Sequence, residues 1–252
     1  MRFAGKVALI SAAGAGIGRA TAAIIGREGG SVVAVDMDQA ALDRLAAEIG
    51  EGRMLGIRAD ALDADAVEHA VRHAVNAQGR IDILVNAVGG STVIPRPAAT
   101  LGELSLEEWQ KLLHFNLTGT FLFCHAVVPM MKRQRSGKIV NISSIAGRGL
   151  SQSSSSAYAT AKGGIIALTR KLAAELGPHG ITVNAIAPSL TLSERIRPHW
   201  ERRSPEAQTA EITRTPLGRV ATPEDQARVI CFLASADADF VTGVTIDVTG
   251  GQ

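Results

Sequence analysis

Short apolar runs alternate with stretches of helical spacing along the whole chain, and that alternation is what most restricts its fold. Lys6–Ser11 (KVALIS), Ser31–Asp36 (SVVAVD), Arg53–Ala59, Ile81–Val85 (IDILV), Lys138–Ile142 (KIVNI), Ile181–Ile186 and Val244–Val248 read as strands. Continuous apolar runs of this length suit strands buried on both faces. Between them, Ile17–Glu28, Gln39–Ile49, Ala64–Ala77, a long run over Ser105–Arg133 and Ala157–Leu176 carry apolar residues at helical spacing. Ser105 with Glu108 forms a capping box at the start of the long helix. Thr222-Pro-Glu-Asp opens a late helix with an N-cap, a first-position proline and first-turn acids.

Strands alternating with helices, joined by right-handed crossovers, predict an α/β fold: a doubly wound parallel sheet of the Rossmann type, helices on both faces. No domain boundary interrupts residues 1–252, which read as a single domain. The one long irregular insert, about Ser189–Pro216, is rich in Arg, Pro, Ser and Thr and reads as a mobile lid or a small helical excursion. Composition agrees: 46% hydrophobic residues supply a large core, and only 4% aromatics favour close helix-on-sheet packing over a β-sandwich. The net charge is +2 with no dense basic run, so no nucleic-acid partner is expected. Cys124 and Cys231 lie in apolar helical sequence outside any CxxC pair, as expected of buried thiols in a reducing compartment. The N-terminal apolar run is too short for a signal peptide, and no segment reads as the about 20 apolar residues of a membrane span. The expectation is a soluble cytoplasmic protein that needs neither membrane nor metal.

The first turn, Ser11-Ala-Ala-Gly-Ala-Gly-Ile-Gly18, lies between strand one and helix one. Gly14, Gly16 and Gly18 can take positive φ and let backbone approach a phosphate, while the helix N-terminus at Ile17 offers unpaired N–H groups to a pyrophosphate. Asp36 closes strand two, 18 residues after Gly18. A carboxylate there accepts both hydroxyls of an adenosine ribose and repels a 2′-phosphate by about 4 kcal/mol per charge pair at effective ε near 20. The next residue is Met37 and offers no cation, so NAD is expected over NADP.

The only tyrosine of the chain, Tyr158, stands four positions before Lys162 on a predicted helix, so both project from one face. A phenol with pKa near 10 is a poor base at neutral pH. An ammonium about 4 Å away at effective ε near 20 is worth about 4 kcal/mol, roughly three pKa units. The pair can then exchange a proton near neutrality. Ser144 follows the strand Lys138–Ile142, at the strand end that faces the ligand crevice in such sheets. Asn116 lies inside the long helix, locally unfavourable and close to Gly119, which hints at a kink or a polar task.

Gly14-x-Gly16-x-Gly18, Asp60, Asn86-Ala-Val-Gly89, Asn116, Ser144, Tyr158-x-x-x-Lys162 and Pro188 fall in the order and spacing of the short-chain dehydrogenase/reductase family, which the chain resembles from about Lys6 to Gly251. The resemblance implies a catalytic tetrad of Asn116, Ser144, Tyr158 and Lys162. Tyr158 would be the acid/base, Ser144 would polarise the substrate oxygen, Lys162 would lower the tyrosine pKa and hold the nicotinamide ribose, and Asn116 would hold a helix kink and a relay water. It also implies that Asp60 and Ala61 meet the adenine, that Asn86 and Gly89 wall the adenosine ribose, that Thr191 or Ser193 meets the carboxamide, and that Ala87 and Pro188 belong to the cofactor-binding set. The chain departs from the family pattern at Ala12, where a glycine is usual, at Ala87 in Asn-Ala-Val-Gly, and at Ser189 after Pro188. The 14-residue Ser144–Tyr158 spacing is also one longer than is common.

The reaction implied is reversible hydride transfer between NAD and a secondary alcohol or ketone. Ser144, Ala146, Gln152, Ser153, Tyr158, Ser189, Leu190 and Trp200 are expected to line the substrate pocket. Arg195, Arg197, His199, Arg202 and Arg203 in the lid raise an anionic substrate as a hypothesis. Two other readings compete: an NADP-dependent 3-ketoacyl-thioester-type reductase, which Asp36 and Met37 oppose, and a non-catalytic dinucleotide-binding regulator, which the intact tetrad opposes. The resemblance further implies a homotetramer in which the long helix and the tyrosine helix pack against their copies. The small residues Ala161, Gly163, Gly164 and Ala167 would suit that face, or packing on the chain's own sheet.

Overall fold

The computed structural model describes every residue except Glu51 and Gln152. Seven parallel strands form one sheet: β1 (Val7–Ser11), β2 (Ser31–Asp36), β3 (Met54–Arg58), β4 (Ile83–Asn86), β5 (Gly137–Ile142), β6 (Ile181–Pro188) and β7 (Thr245–Val248). Their spatial order is β3-β2-β1-β4-β5-β6-β7, and each neighbouring pair is parallel. The chain winds outward from β1 to β3, then returns to place β4 on the other side of β1. That reversal leaves a crevice outside the C-terminal ends of β1 and β4.

The pleat sends alternate strand residues into two cores. Ala8, Ile10, Val32 and Ala34 pack under α1 (Gly16–Arg27), α2 (Gln39–Ile49) and α9 (Pro223–Leu233). Leu9, Val33, Val35 and Leu84 pack under α3 (Ala64–Gln78), α5 (Gly119–Gln134) and α6 (Ser156–Leu176). Burial on both faces is why these strands are apolar throughout rather than alternating.

The structure shifts several expected boundaries by a residue or two. β6 runs on to Pro188 rather than ending at Ile186, and β4 begins at Ile83 rather than Ile81. The Asp82 carboxylate accepts the Val7 N–H at 2.9 Å and pairs with Arg80, so a polar clamp precedes the strand. The Ser105–Glu108 capping box forms as the sequence indicates, and the N-cap expected at Thr222 forms a box with Asp225.

The long helix differs more. It divides into α4 (Leu106–Leu113), one π-helical turn over His114–Thr118, and α5. As one run, Leu106–Gln134 is long and apolar enough by length and composition to cross a membrane, which the sequence reading had not expected. Phe123, Val127 and Met131 of this run are buried in the core beneath β4 and β5. The insert is a helical excursion: α7 (Arg197–Glu201) and α8 (Pro205–Arg214), the latter capped by Ser204.

Candidate active site

The turn after β1 is built for close backbone approach. Ala12, where the family usually has glycine, takes φ +50°, the left-handed region that favours glycine. A Cβ on Gly18 would stand 2.2 Å from the Ala12 carbonyl oxygen, so only glycine fits the first turn of α1 there. The N-cap of α1, Ala15, offers no side-chain acceptor. The Gly16 N–H instead donates to Glu194 Oε2 at 2.8 Å, a residue 178 positions away. Asp36 sits at the C-terminal end of β2, its Oδ2 accepting the Gly14 N–H at 2.8 Å and its Oδ1 the Asp38 N–H at 3.0 Å. Arg58 Nε donates to the Met37 carbonyl at 3.2 Å. A cation therefore does stand beside the residue after Asp36, supplied by the neighbouring strand.

The other end of the crevice gathers Asn116, Ser144, Tyr158 and Lys162. Ser155 caps α6 by accepting the Tyr158 N–H, which puts Tyr158 in the first turn of that helix. Ser144 follows β5, and its hydroxyl accepts the Ala146 N–H at 3.1 Å. A Cβ on Gly147 would meet the Lys162 backbone at 2.6 Å, so that glycine lets the turn after β5 lie directly on α6. Lys162 is 2% exposed; its ammonium donates to the Ile142 carbonyl at 2.8 Å and lies 5.9 Å from the centre of the Tyr158 ring. Asn116 occupies the π turn, fully buried. Its Nδ2 donates to the Leu112 and Gly90 carbonyls, and its Oδ1 accepts the Gly90 N–H at 2.8 Å. π turns frequently mark functional sites, and in this one the Asn116 side-chain amide fixes Gly90. Gly89 is the hub: a Cβ there would lie 2.7 Å from Lys162 Nζ and 2.9 Å from Asn116 Oδ1.

A cleft of about 750 Å³ joins the two ends. Gly16, Ile17, Gly18, Asp36, Met37, Asp60, Ala61, Ala87, Gly89, Ser144, Tyr158, Lys162, Pro188, Thr191 and Ser193 line it, as do Ser153, Ser189 and Leu190 of the expected substrate wall. Five expected residues are not in the lining. Gly14 gives its N–H to Asp36, Asn116 lies behind Gly90, Ala146 is buried, and Trp200 stands on α7 with Arg203 over its ring. Asn86 points into the core, where its Nδ2 donates to Asn141 Oδ1 at 2.8 Å, and Asn141 donates to Thr169. Gln152 lies outside the described residues. Of the five lid cations, Arg195 and Arg203 reach the cleft, joined by Arg214, and Glu211 pairs with Arg203 and Arg214. Glu194, Arg195 and Arg58 were not singled out as cofactor-side residues by sequence, because each meets the site through a contact distant along the chain.

Known proteins decide the family. The model for the family described as enoyl-(acyl carrier protein) reductase matches residues 11–252. The chain is 41% identical to the short-chain reductase protein NovJ of Streptomyces niveus, covering 98% of this chain and 94% of that one. It is 38% identical to the 3-oxoacyl-(acyl-carrier-protein) reductase FabG of Thermotoga maritima, over 100% and 99%. It is 40% identical to the cyclohexanol dehydrogenase of Rhodococcus, over 98% and 96%. The chain belongs to the short-chain dehydrogenase/reductase family. The crystal structure of levodione reductase superposes with a TM-score of 0.91 at 32% identity, covering 100% of this chain and 98% of that one. As a short-chain dehydrogenase/reductase, the protein is an oxidoreductase of a family that binds NAD or NADP.

The residues present fit such a dinucleotide. The N-terminus of α1 already takes a carboxylate at Gly16, which shows that it accepts an anion, and Gly18 leaves no room for a side chain. Acids, Asp36 and Asp60, stand at one end of the cleft, and Lys162 with Arg195 at the other. Burial dominates the titration of the reactive pair. It pushes the Tyr158 phenol up, while the neighbouring Ser144 hydroxyl and the positive charge of Arg195 draw it down. The same burial, aided by Arg195, brings Lys162 down to about 7. Ser144 and Arg195, rather than Lys162, are the groups that draw the phenol down in this balance.

Proposed function

We propose that the protein is an NAD-dependent dehydrogenase that interconverts a secondary alcohol and a ketone, with Tyr158 as the general acid/base. The observation that carries this reading is the grouping of Tyr158, Lys162 and Ser144 at one end of a cleft whose other end holds the α1 N-terminus and Asp36. The Ser144 hydroxyl, held by the Ala146 N–H, orients the substrate oxygen toward Tyr158. The Tyr158 hydroxyl gives a proton to that oxygen in reduction and takes one in oxidation. Lys162, anchored on the Ile142 carbonyl, keeps an N–H free to donate to a ribose hydroxyl. Asn116 keeps Gly89–Gly90 in register with Lys162. The nicotinamide, when bound, accepts or supplies the hydride.

Asp36 supports NAD, because its carboxylate lines the cleft where a 2′-phosphate would add like charge. A homotetramer is proposed as well. Leu106 (71% exposed) and Phe121 (50% exposed) on the α4–α5 run, and Phe240 beside β7, are apolar side chains open for burial against copies. The small-residue face of α6 serves the chain itself, with Gly164 against Leu117 and Ala161 buried, and only Ala167 is exposed. The test is Tyr158→Phe. NADH binding, followed by fluorescence, should persist, and turnover over a panel of secondary alcohols should fall by at least about 10³-fold. Robust turnover in that variant would remove Tyr158 from the chemistry.

A further inference from the structure

The lid meets the cleft through two consecutive residues of opposite charge. Glu194 places Oε2 on the Gly16 N–H at 2.8 Å and Oε1 3.3 Å from Arg19 Nε. Arg195 donates from Nη2 to the Gly89 carbonyl at 2.9 Å, and its guanidinium fills the space beside Gly90, where a Cβ would meet it at 2.4 Å. Ser193 closes over Gly16 from the same segment, within 3.2 Å of where a Cβ would stand. The negative residue therefore rests on the uncapped start of α1. The positive one rests at the Gly89–Gly90 wall, near enough to Tyr158 and Lys162 to act on both.

We propose that Glu194–Arg195 is a built-in stand-in for the dinucleotide, a latch that seals the cofactor cleft and that the dinucleotide displaces on binding. The charge order along the cleft is the reason. A dinucleotide on this fold places its anionic pyrophosphate at the α1 N-terminus and, when oxidised, its cationic ring toward Tyr158; Glu194 and Arg195 reproduce minus then plus in the same direction. The Gly16 N–H cannot serve a carboxylate and a phosphate together, and the two anions repel. Burial would raise the Glu194 carboxyl, but hydrogen bonds from its own and the Gly16 N–H, together with Arg19, hold it below the usual carboxylate range. The latch is thus charged at neutral pH. Glu194 is a positioning residue here: it acts on the nucleotide by competing for its seat, and it sets affinity rather than chemistry.

The latch rests on the functional reading above, and the experiment separates the two. Wild type, Glu194→Gln and Glu194→Gln/Arg195→Gln are titrated with NADH by fluorescence and with ADP by calorimetry. The lid of each free protein is followed by amide hydrogen exchange. Loss of a charge-assisted hydrogen bond from the competing state should tighten both ligands by about tenfold in Glu194→Gln. ADP lacks the nicotinamide, so adding Arg195→Gln, which vacates the Gly89–Gly90 wall, should tighten NADH further and leave ADP where the single variant put it. Residues 189–200 should exchange faster in the free variants than in free wild type. If Glu194→Gln binds both ligands no more tightly than wild type, the latch is wrong and the oxidoreductase reading stands. Weaker binding overturns the latch too, by making Glu194 a contact of the bound nucleotide. If wild type binds neither NADH, NADPH nor ADP, the functional reading falls and the latch falls with it.

Discussion

Lys162 offers the sharpest test of the site's electrostatics, because its protonation is readable in stability without any substrate. Its ammonium is 2% exposed, and burial with Arg195 brings it from 10.5 to about 7. The folded value lies below the unfolded one, so the unfolded chain holds the extra proton between them. Stability from this group is therefore complete above 10.5 and is lost as pH falls through about 7. From about pH 7 to about pH 9 the unfolded state carries up to one more proton than the native state. Allowing for half-protonation at the lower end, that gain integrates to about 2 kcal/mol. The assay is urea unfolding of wild type and Lys162→Met across that range. Methionine keeps the length of the side chain and removes the titration, and Cys124, Cys231 and the other groups cancel in the difference. Wild type should gain about 2 kcal/mol on the variant as pH rises. Parallel stability curves would mean that Lys162 stays charged in the native state, and the account of a lysine neutralised by burial would be refuted.

Asp36→Ser should lower the ratio of kcat/KM for NAD over NADP by at least about 10²-fold, since a close like-charge pair near ε 20 is worth about 4 kcal/mol before screening. Arg58, already at the Met37 carbonyl, stands ready to meet the added phosphate. An unchanged ratio would remove Asp36 from cofactor choice. Ala12→Gly should raise the unfolding free energy by up to about 1 kcal/mol, because φ +50° costs an alanine more than glycine's extra unfolded freedom. A loss of stability by chemical denaturation would show that the turn is unstrained.

Much of the fold could be read from the chain because its signals are local and repeated. Buried parallel strands are apolar without interruption, and Ser105, Ser155 and Thr222 start their helices by side-chain caps. Tyr158 and Lys162 were readable for the same reason: helical spacing puts them on one face, and α6 keeps them there. The π turn was legible only as the kink that Asn116 hints at, since Leu112, Phe123 and Val127 carry a helical apolar pattern across it. The family resemblance implies that Asn86 walls the cofactor. The Asn141 amide beside it on β5 draws its side chain into the core instead. Glu194 on Gly16 and Arg195 on Gly89 depend on how a lid folds back over residues far away in sequence, and no local pattern encodes that.

The cleft's two ends place opposite demands on their side chains. At the Asp36 end, the backbone N–H groups of Gly14 and Asp38 donate to the carboxylate in place of water. At the reactive end the protein supplies little to replace water: Lys162 keeps one carbonyl and Tyr158 a neighbouring hydroxyl, so burial drives both toward neutrality. A neutral pair is poor at proton exchange until positive charge arrives beside it. Arg195 provides some from the lid, drawing both groups down. An oxidised nicotinamide, being cationic, would act in the same direction. On this argument the tyrosine becomes a competent base when the cleft is filled with the oxidised cofactor and not before, so proton transfer is tied to cofactor occupancy by electrostatics alone. The pH dependence of alcohol oxidation with NAD bound should then lie below the titration of Tyr158 in the free protein. Coincidence of the two, measured by phenolate absorbance and by kcat, would show that the fixed residues rather than the cofactor set the phenol.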